Sequence, residues 1–186
     1  RRPPGSTLFP YTTLFRSRGA LIGRDSVLQL DLWAREAKPG SVYADISWVL
    51  YTGERPPEEI RRNFEALVSV RDAVVAFIAG RMETGSPPSG AEVDREARVL
   101  LSDAGFAGAL RHRTGHGIDR EVHGSGVNLD SVEFPDHRLL LEGSCFSVEP
   151  GIYFAEYGLR TEIDVVIRGG RPVVTGGEPQ RRLLTF

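Results

Sequence analysis

Two runs of alternating apolar and polar residues near the start of the chain each carry one carboxylate, and they constrain the fold more than any other feature. Residues 27–33, VLQLDLW, place three leucines on one face and Asp31 on the other. Residues 42–51, VYADISWVLY, repeat the alternation and place Asp45 on the polar face. A period of two residues is typical of β-strands. The pattern therefore predicts two neighbouring strands that each direct a carboxylate away from an apolar face.

Two helices are predicted between these strands and the last third of the chain. The first begins after Pro57, has glutamates in its first turn as the helix dipole favours, and ends near Gly80. The second begins at Ser89, where Glu92 completes a capping box, and ends at Gly105. Both carry an apolar stripe, so we interpret them as the scaffold that supports the strands.

Three further candidate ligands lie in the last third, which reads as short strands and turns. His116 lies between two glycines, which leave room for the imidazole to approach a ligand or metal. Glu149 ends the alternating segment CFSVE on its non-core face, and Glu162 shares a strand face with Arg160 and Asp164. A solvated strand face and an ordinary hydrogen-bonded histidine are the alternatives. They give no reason for four carboxylates on four strands, and a buried carboxylate is costly unless it is paired or bound to a cation.

Composition limits the class of protein. A chain of 186 residues with 40% hydrophobic residues is long enough for one domain. Its 23 basic and 25 acidic residues give a net charge of -2, so nucleic acid is not an expected partner. A single cysteine, Cys145, excludes an internal disulfide, favours a reducing compartment and is predicted to be buried. No apolar run reaches the ~20 residues of a membrane span, so we expect a cytoplasmic protein without a membrane partner.

Residues 1–17 differ from the rest of the chain. The segment TLFPYTTLFRS is what one reading frame of a widely used short-read sequencing adapter encodes. We therefore predict that residues 1–17 are an assembly artefact outside the fold, and that residues 18–186 form the domain. A natural N-terminal arm rich in proline and aromatic residues is the alternative.

Five segments in order, LDLWA, YADIS, GHGIDREVHG, FSVEPGIY and LRTEIDVVI, resemble the successive motifs of the pita-bread metallopeptidases. This is the family of methionine aminopeptidase, aminopeptidase P and prolidase, and HRTGH, GIYF and LRTEID are similar to its Xaa-Pro branch. The resemblance extends from about Leu28 to the C-terminus. It implies an α+β pita-bread fold, incomplete here as the C-terminal part of the catalytic domain, with a mostly antiparallel sheet and helices packed on its outer face.

The resemblance also implies a metal-binding role for five residues. Asp45 and Glu162 would bridge two metal ions. Asp31 would complete one metal site, and His116 with Glu149 would complete the other. Two divalent ions are implied, and an oxygen-rich ligand set with one imidazole favours manganese, with cobalt or zinc as alternatives.

The catalytic residues implied by the resemblance are Glu149, His123, His112 and Arg160. His123 and His112 would line the substrate pocket, with His123 placed to hydrogen-bond the scissile carbonyl. Arg160 would lie beside Glu162, and Glu149 would carry a proton from the nucleophile to the leaving nitrogen.

The implied reaction is hydrolysis, by a metal-bridged hydroxide, of the bond that joins an N-terminal residue to a following proline, in a peptide or a dipeptide. A peptide substrate is then the expected partner, and a homodimer is expected for the parent protein. A hydrolase of other C–N bonds in small amino-acid derivatives and a catalytically inactive binding module are the alternatives. The interval between Asp31 and Asp45 is longer than in the family pattern. If residues 1–17 are an artefact, we also expect the upstream half of the fold, with its further pocket histidine, to be missing from this sequence.

Overall fold

The structure, a computed structural model, describes residues 21–186. The artefact predicted for residues 1–17 lies outside the described residues. Within residues 21–186, none of the helices combines the length and the apolar character that crossing a membrane requires.

The two alternating runs form an antiparallel pair, as predicted. Strand β1 spans Val27–Ala34 and strand β2 spans Ala44–Tyr51. Their register places Asp31 opposite Ser47 and Trp33 opposite Asp45. Because directly opposed residues project to the same side of a sheet, both carboxylates lie on one face.

The burial of this pair reverses the usual rule that the apolar face of a sheet is the covered one. Asp45 is 4% exposed and Ser47 is fully buried. On the opposite face Leu32 is 67% exposed and Trp48 is 37% exposed. The polar face is therefore the one that packs against the rest of the molecule.

Both predicted helices are present, and the predicted capping box is confirmed. Helix α1 spans Glu58–Glu83, three residues beyond the predicted end, and helix α2 spans Gly90–Asp103. Ser89 caps α2 by accepting the Glu92 backbone N–H, while the Glu92 carboxylate accepts the Ser89 N–H. These reciprocal bonds satisfy two donors that the start of a helix otherwise leaves free.

The last third of the chain forms two small antiparallel sheets. Strands β3 (Cys145–Val148), β6 (Ile163–Arg168) and β7 (Arg171–Val174) form one sheet in the order β3-β6-β7. Strands β4 (Gly151–Tyr153) and β5 (Gly158–Arg160) form the other. The predicted hairpin between β6 and β7 is confirmed, since Gly169 and Gly170 both have positive φ angles, at 61° and 69°. The final strand, β8 (Leu184–Thr185), pairs in parallel with the end of β2.

The hydrophobic core lies between α1 and these sheets. Helix α1 contacts β3, β5 and β7, and its side chains Phe64 and Leu67 are fully buried together with Phe146 of β3 and Leu159 of β5. Each such side chain contributes about 1.5–3 kcal/mol by leaving water. The predicted fold class is confirmed as α+β with mostly antiparallel sheets.

Candidate metal centre

Three candidate ligands meet at one buried point. Asp45 of β2, His116 of the loop before β3 and Glu162 between β5 and β6 each place one ligand atom within 4.8 Å of the others. All three side chains are buried. The His116 Nε2 atom lies 3.5 Å from Asp45 Oδ2. Two carboxylates and one imidazole, drawn from three parts of the chain, thus face a shared centre.

Glu149 lies beside this group, directly after β3. Its Oε1 atom is 3.4 Å from His116 Nε2 and accepts a hydrogen bond from Ser147 Oγ at 3.1 Å. Its backbone N–H donates to the Thr114 carbonyl at 2.7 Å, which fixes the end of β3 against the histidine loop. Glu149 is therefore brought to His116 by both its backbone and its side chain.

Asp31 lies at the rim of the site, where its side chain is 43% exposed. It is not one of the three residues that meet at the centre, and its carboxylate forms an ion pair with Arg160. The Arg160 guanidinium also donates to Ser47 Oγ at 3.1 Å and lies 3.7 Å from Glu149 Oε2. Arg160 thus links the Asp31 carboxylate at the rim to the Glu149 carboxylate beside the buried centre.

Arg160 reaches Glu162 through Ser47. The Ser47 hydroxyl accepts from Arg160 and donates to Glu162 Oε2 at 2.6 Å. The resemblance places Arg160 beside Glu162, and in the structure this fully buried hydroxyl lies between them. A hydrogen bond of this kind fixes the orientation of a carboxylate.

The edge of β2 that faces away from β1 is bound by side chains of the second half. The Asp45 N–H donates to Asp164 Oδ2 at 2.9 Å. Four residues further along, the Gln180 amide accepts the Val49 N–H at 2.8 Å and donates to the Val49 carbonyl at 2.6 Å. Between Ala44 and Val49, these side chains bind backbone groups at an edge where a neighbouring strand would otherwise pair.

The carboxylates differ in their affinity for protons. Burial, with the charges of Glu149 and Asp45, raises the pKa of Glu162 well above its usual value. Burial also tends to raise the pKa of Glu149, but the charges of Arg160 and His116 outweigh it and lower that pKa. Burial tends to lower the pKa of His116, yet its bond to Asp45 and the charge of Glu149 raise it. The two neighbouring carboxylates are therefore shifted in opposite directions, Glu149 toward the ionised form and Glu162 away from it.

The loop that carries His116 is locked to β3. The Ser147 hydroxyl accepts the His116 N–H at 3.0 Å, and the His116 carbonyl accepts the Ser147 N–H at 2.9 Å. Two residues later, the Ile118 N–H donates to the Cys145 carbonyl at 2.9 Å. The Cys145 thiol is free and half-buried, whereas the sequence predicts a buried one.

The two glycines that flank His116 serve close backbone packing. A Cβ atom at Gly115 would lie 2.0 Å from the Ser147 carbonyl oxygen, and one at Gly117 would lie 2.6 Å from the backbone of Gly126. The sequence interpretation, that the glycines make room for a ligand, misses this reason. They are required because the loop lies directly on β3 and on the following loop.

The other two histidines named as candidates, His123 and His112, occupy different surroundings. The His123 ring packs edge-on against His116, with 4.3 Å between ring centroids, on the exposed side of the site. His112 lies apart, with Nε2 2.8 Å from the Tyr153 hydroxyl and Nδ1 2.7 Å from the Arg113 carbonyl. Burial lowers the pKa of both imidazoles, which favours their neutral forms. Of the two, His123 is the one whose ring packs against a candidate ligand, His116.

The residues fit a divalent metal ion. The Asp45 Oδ1 atom is buried and has no hydrogen-bond partner among the described residues. A carboxylate oxygen in that state is costly unless a cation balances it. Two carboxylates with one imidazole, flanked by a third carboxylate, are a suitable donor set for manganese, cobalt or zinc.

The model of metallopeptidase family M24 matches residues 12–169. The chain belongs to this family. The match begins within the N-terminal segment discussed above, whose assignment stays a prediction.

Relatives of this M24 protein include peptidases with proline in their names. The Xaa-Pro dipeptidase of Lactobacillus delbrueckii subsp. lactis is 33% identical over 120 residues, 64% of this chain and 30% of that protein. The probable dipeptidase PepE of Mycobacterium tuberculosis (strain ATCC 25618 / H37Rv) is 34% identical over 129 residues, 69% of this chain and 32% of its own length. The crystal structure of dipeptidase PepE from Mycobacterium ulcerans superposes with a TM-score of 0.74 at 29% identity, covering 88% of this chain and 41% of that one. The M24 chain thus spans about a third of the length of these curated relatives.

Three residues at the site of this M24 protein did not enter the sequence-based ligand set. Ser47 and Asp164 share strand faces with the predicted ligands but are assigned no role by the sequence. Each could have been noticed as a polar residue in an otherwise apolar strand. Tyr153, the partner of His112, follows the Pro-Gly turn after Glu149, and nothing in the sequence signals that contact.

Proposed function

We propose that the parent protein is a dinuclear-metal-dependent exopeptidase that hydrolyses the bond preceding proline, as an aminopeptidase or a dipeptidase. The buried cluster of Asp45, His116 and Glu162, with an unpartnered carboxylate oxygen, is the observation that supports this most strongly. Membership of family M24 and relatives named Xaa-Pro dipeptidase support the substrate class.

Asp45 and Glu162 would bridge the two ions, a role supported by their approach to the same centre from distant parts of the chain. His116 with Glu149 would complete one site and Asp31 the other. Two divalent ions, when bound, supply a nucleophilic hydroxide at neutral pH and polarise the carbonyl that it attacks. Manganese is our first choice for both sites.

Glu149 is the proposed proton carrier. Its pKa is lowered below the ordinary value by Arg160 and His116 in spite of its burial, so the carboxylate is ionised and can accept a proton. It would pass that proton to the leaving nitrogen. Arg160 would hold the carboxylates of Asp31 and Glu149 in place through the ion pairs described above.

His123 is the proposed substrate contact. It stands next to His116 on the exposed side of the site, and its lowered pKa keeps a neutral ring that can donate one hydrogen bond. The scissile carbonyl oxygen is the acceptor we assign to it. His112, enclosed between Tyr153 and the Arg113 carbonyl, would act as part of the pocket wall. The bond before proline lacks an N–H, so shape and these histidines would have to select it.

Metal binding and peptide hydrolysis together test the proposal. Calorimetric titration with Mn²⁺ should give two ions bound per chain, and Asp45→Asn should weaken binding about 10-fold or more. The matched control is Asp103→Asn, which changes an exposed aspartate at the end of α2 and should bind as the wild type does.

Hydrolysis of Xaa-Pro dipeptides and Xaa-Pro-Xaa tripeptides should be measured on the same proteins and on the chain extended to its full gene. Release of the residue before proline, lost in Asp45→Asn and kept in Asp103→Asn, is the expected result. Metal binding without hydrolysis of any proline peptide by the full protein would refute the peptidase assignment. Sedimentation analysis of the full protein would test the proposed homodimer.

A further inference from the structure

We infer that Asp164 is a positioning residue, which sets the separation between Asp45 and Glu162 by holding the backbone of β2 against β6. The inference rests on the proposed function, since the two carboxylates matter as ligands. It assigns to Asp164 a role that neither its place in the sequence nor the ligand set gives it.

The geometry of Asp164 points to this role. Its Oδ2 atom accepts the Asp45 N–H at 2.9 Å, so it acts on the backbone of the very residue that carries one bridging carboxylate. Asp164 is also two residues after Glu162 on the same face of the chain entering β6. A single side chain thus joins the backbones that carry both carboxylates, and it is buried.

No strand ladder performs this task between β2 and β6. Strand β2 pairs with β1 on one edge, and on its other edge β8 pairs only with Leu50 and Tyr51. Strand β6 pairs with β3 and β7 in a separate sheet. At the level of Asp45, the described structure joins the two sheets through the Asp164 side chain.

The Ser47–Glu162 bond does not replace this contact. Ser47 donates to the Glu162 carboxylate itself and so orients one ligand. Asp164 instead fixes the distance between two strands. Metal ligands must be placed to within about 0.2 Å, so a small shift of β2 would misplace Asp45.

Gln180 provides a matched control on the same strand edge. Its side-chain amide binds the N–H and carbonyl of Val49, four residues beyond Asp45, and no candidate ligand touches it among the described residues. Removing it should loosen β2 at a distance from the carboxylates. The Gln180→Ala variant therefore distinguishes a general loss of stability from a specific displacement of the Asp45 carboxylate.

The test compares Asp164→Ala, Asp164→Asn and Gln180→Ala with the wild type in two measurements. The first is calorimetric titration with Mn²⁺. Asp164→Ala should weaken binding about 10- to 100-fold. Asp164→Asn should bind about as the wild type does, because its amide oxygen can still accept the Asp45 N–H. Gln180→Ala should lower the melting temperature and leave the affinity unchanged.

The second measurement is hydrogen exchange at the Asp45 amide in the metal-free protein. Exchange should be slow in the wild type and in Asp164→Asn, and faster in Asp164→Ala. Unchanged Mn²⁺ affinity in Asp164→Ala would overturn this inference and leave the proposed function standing. If Asp164→Asn and Asp164→Ala lost equal Mn²⁺ affinity, the charge of Asp164 and not its hydrogen bond to β2 would be the cause. If Gln180→Ala lost as much Mn²⁺ affinity as Asp164→Ala, the cause would be a general loosening of β2. A wild-type chain that binds no Mn²⁺ would remove the proposed function and the inference together.

Discussion

Replacing Asp94 by alanine should destabilise the fold more than any surface change, because this carboxylate joins α2 to the loop that leads to His116. Asp94 is fully buried. Its Oδ1 atom accepts the Thr114 N–H at 2.9 Å and the Thr114 hydroxyl at 2.6 Å. Its Oδ2 atom accepts the Ser131 N–H at 2.9 Å and Arg98 Nε at 2.8 Å.

The magnitude follows from the donors that would lose their acceptor. The Thr114 and Ser131 hydroxyls can turn to other partners, and Arg98 is partly exposed and keeps its bond to the His112 carbonyl. The Thr114 N–H keeps a second acceptor, the Leu129 carbonyl at 3.0 Å. The Ser131 N–H has no other acceptor among the described residues. An unsatisfied buried donor costs about 1–3 kcal/mol, so this one implies a loss of about 2 kcal/mol in the free energy of unfolding.

Urea denaturation is the assay for this prediction. Asp94→Ala should lower the midpoint without changing the slope, since the surface exposed on unfolding is nearly the same. The control is Asp103→Asn, at the exposed end of the same helix, which should stay within about 0.5 kcal/mol of the wild type. A loss below about 1 kcal/mol in Asp94→Ala would show that the Ser131 N–H finds another acceptor, and the reasoning would fail.

Three further predictions concern stability. The bonds from Arg138 lower the pKa of Asp136 from 3.8 to about 2, so its contribution of about 2 kcal/mol is complete above pH 4 and disappears as the pH falls toward 2. Asp136→Asn should remove that step from an acid unfolding curve, and a curve that keeps it would assign the step to other groups. Gly80→Ala should raise the melting temperature by removing a glycine from a helix interior with open space around it, while Gly115→Ala should lower it by several degrees because its Cβ would overlap the Ser147 carbonyl. Leu32→Ser should change the free energy of unfolding by less than about 0.5 kcal/mol, because that side chain is already in water, and a larger loss would mean that its face is covered.

Local sequence signals predicted most of the framework. The alternation around Asp31 and Asp45 determines strands because a period of two puts like residues on one face. The capping box at Ser89 and the Gly169-Gly170 turn are complete within a few residues, so both could be read directly. The pattern could not reveal which face of β1 and β2 is buried, because that depends on what packs there.

The site was predictable as a set of residues but not as an arrangement. Asp45, His116 and Glu162 come together as the resemblance implies, whereas Asp31 pairs with Arg160. Its separation from the centre arises because β1 is the outer strand of its sheet, a fact of tertiary packing. The contact of His112 with Tyr153 spans 41 residues and likewise follows from the fold alone.

The reactivity of the Cys145 thiol should report the separation of strands β3 and β6. Burial and the nearby charge of Asp164 raise the pKa of this thiol to about 11, so very little thiolate is present near neutral pH. Its reaction with an alkylating reagent should therefore be slow in the closed sheet and should speed up whenever β3 separates from β6. Since the thiol is the single one in the chain, its labelling rate would record how often β3 and β6, the strands next to Glu149 and Glu162, come apart.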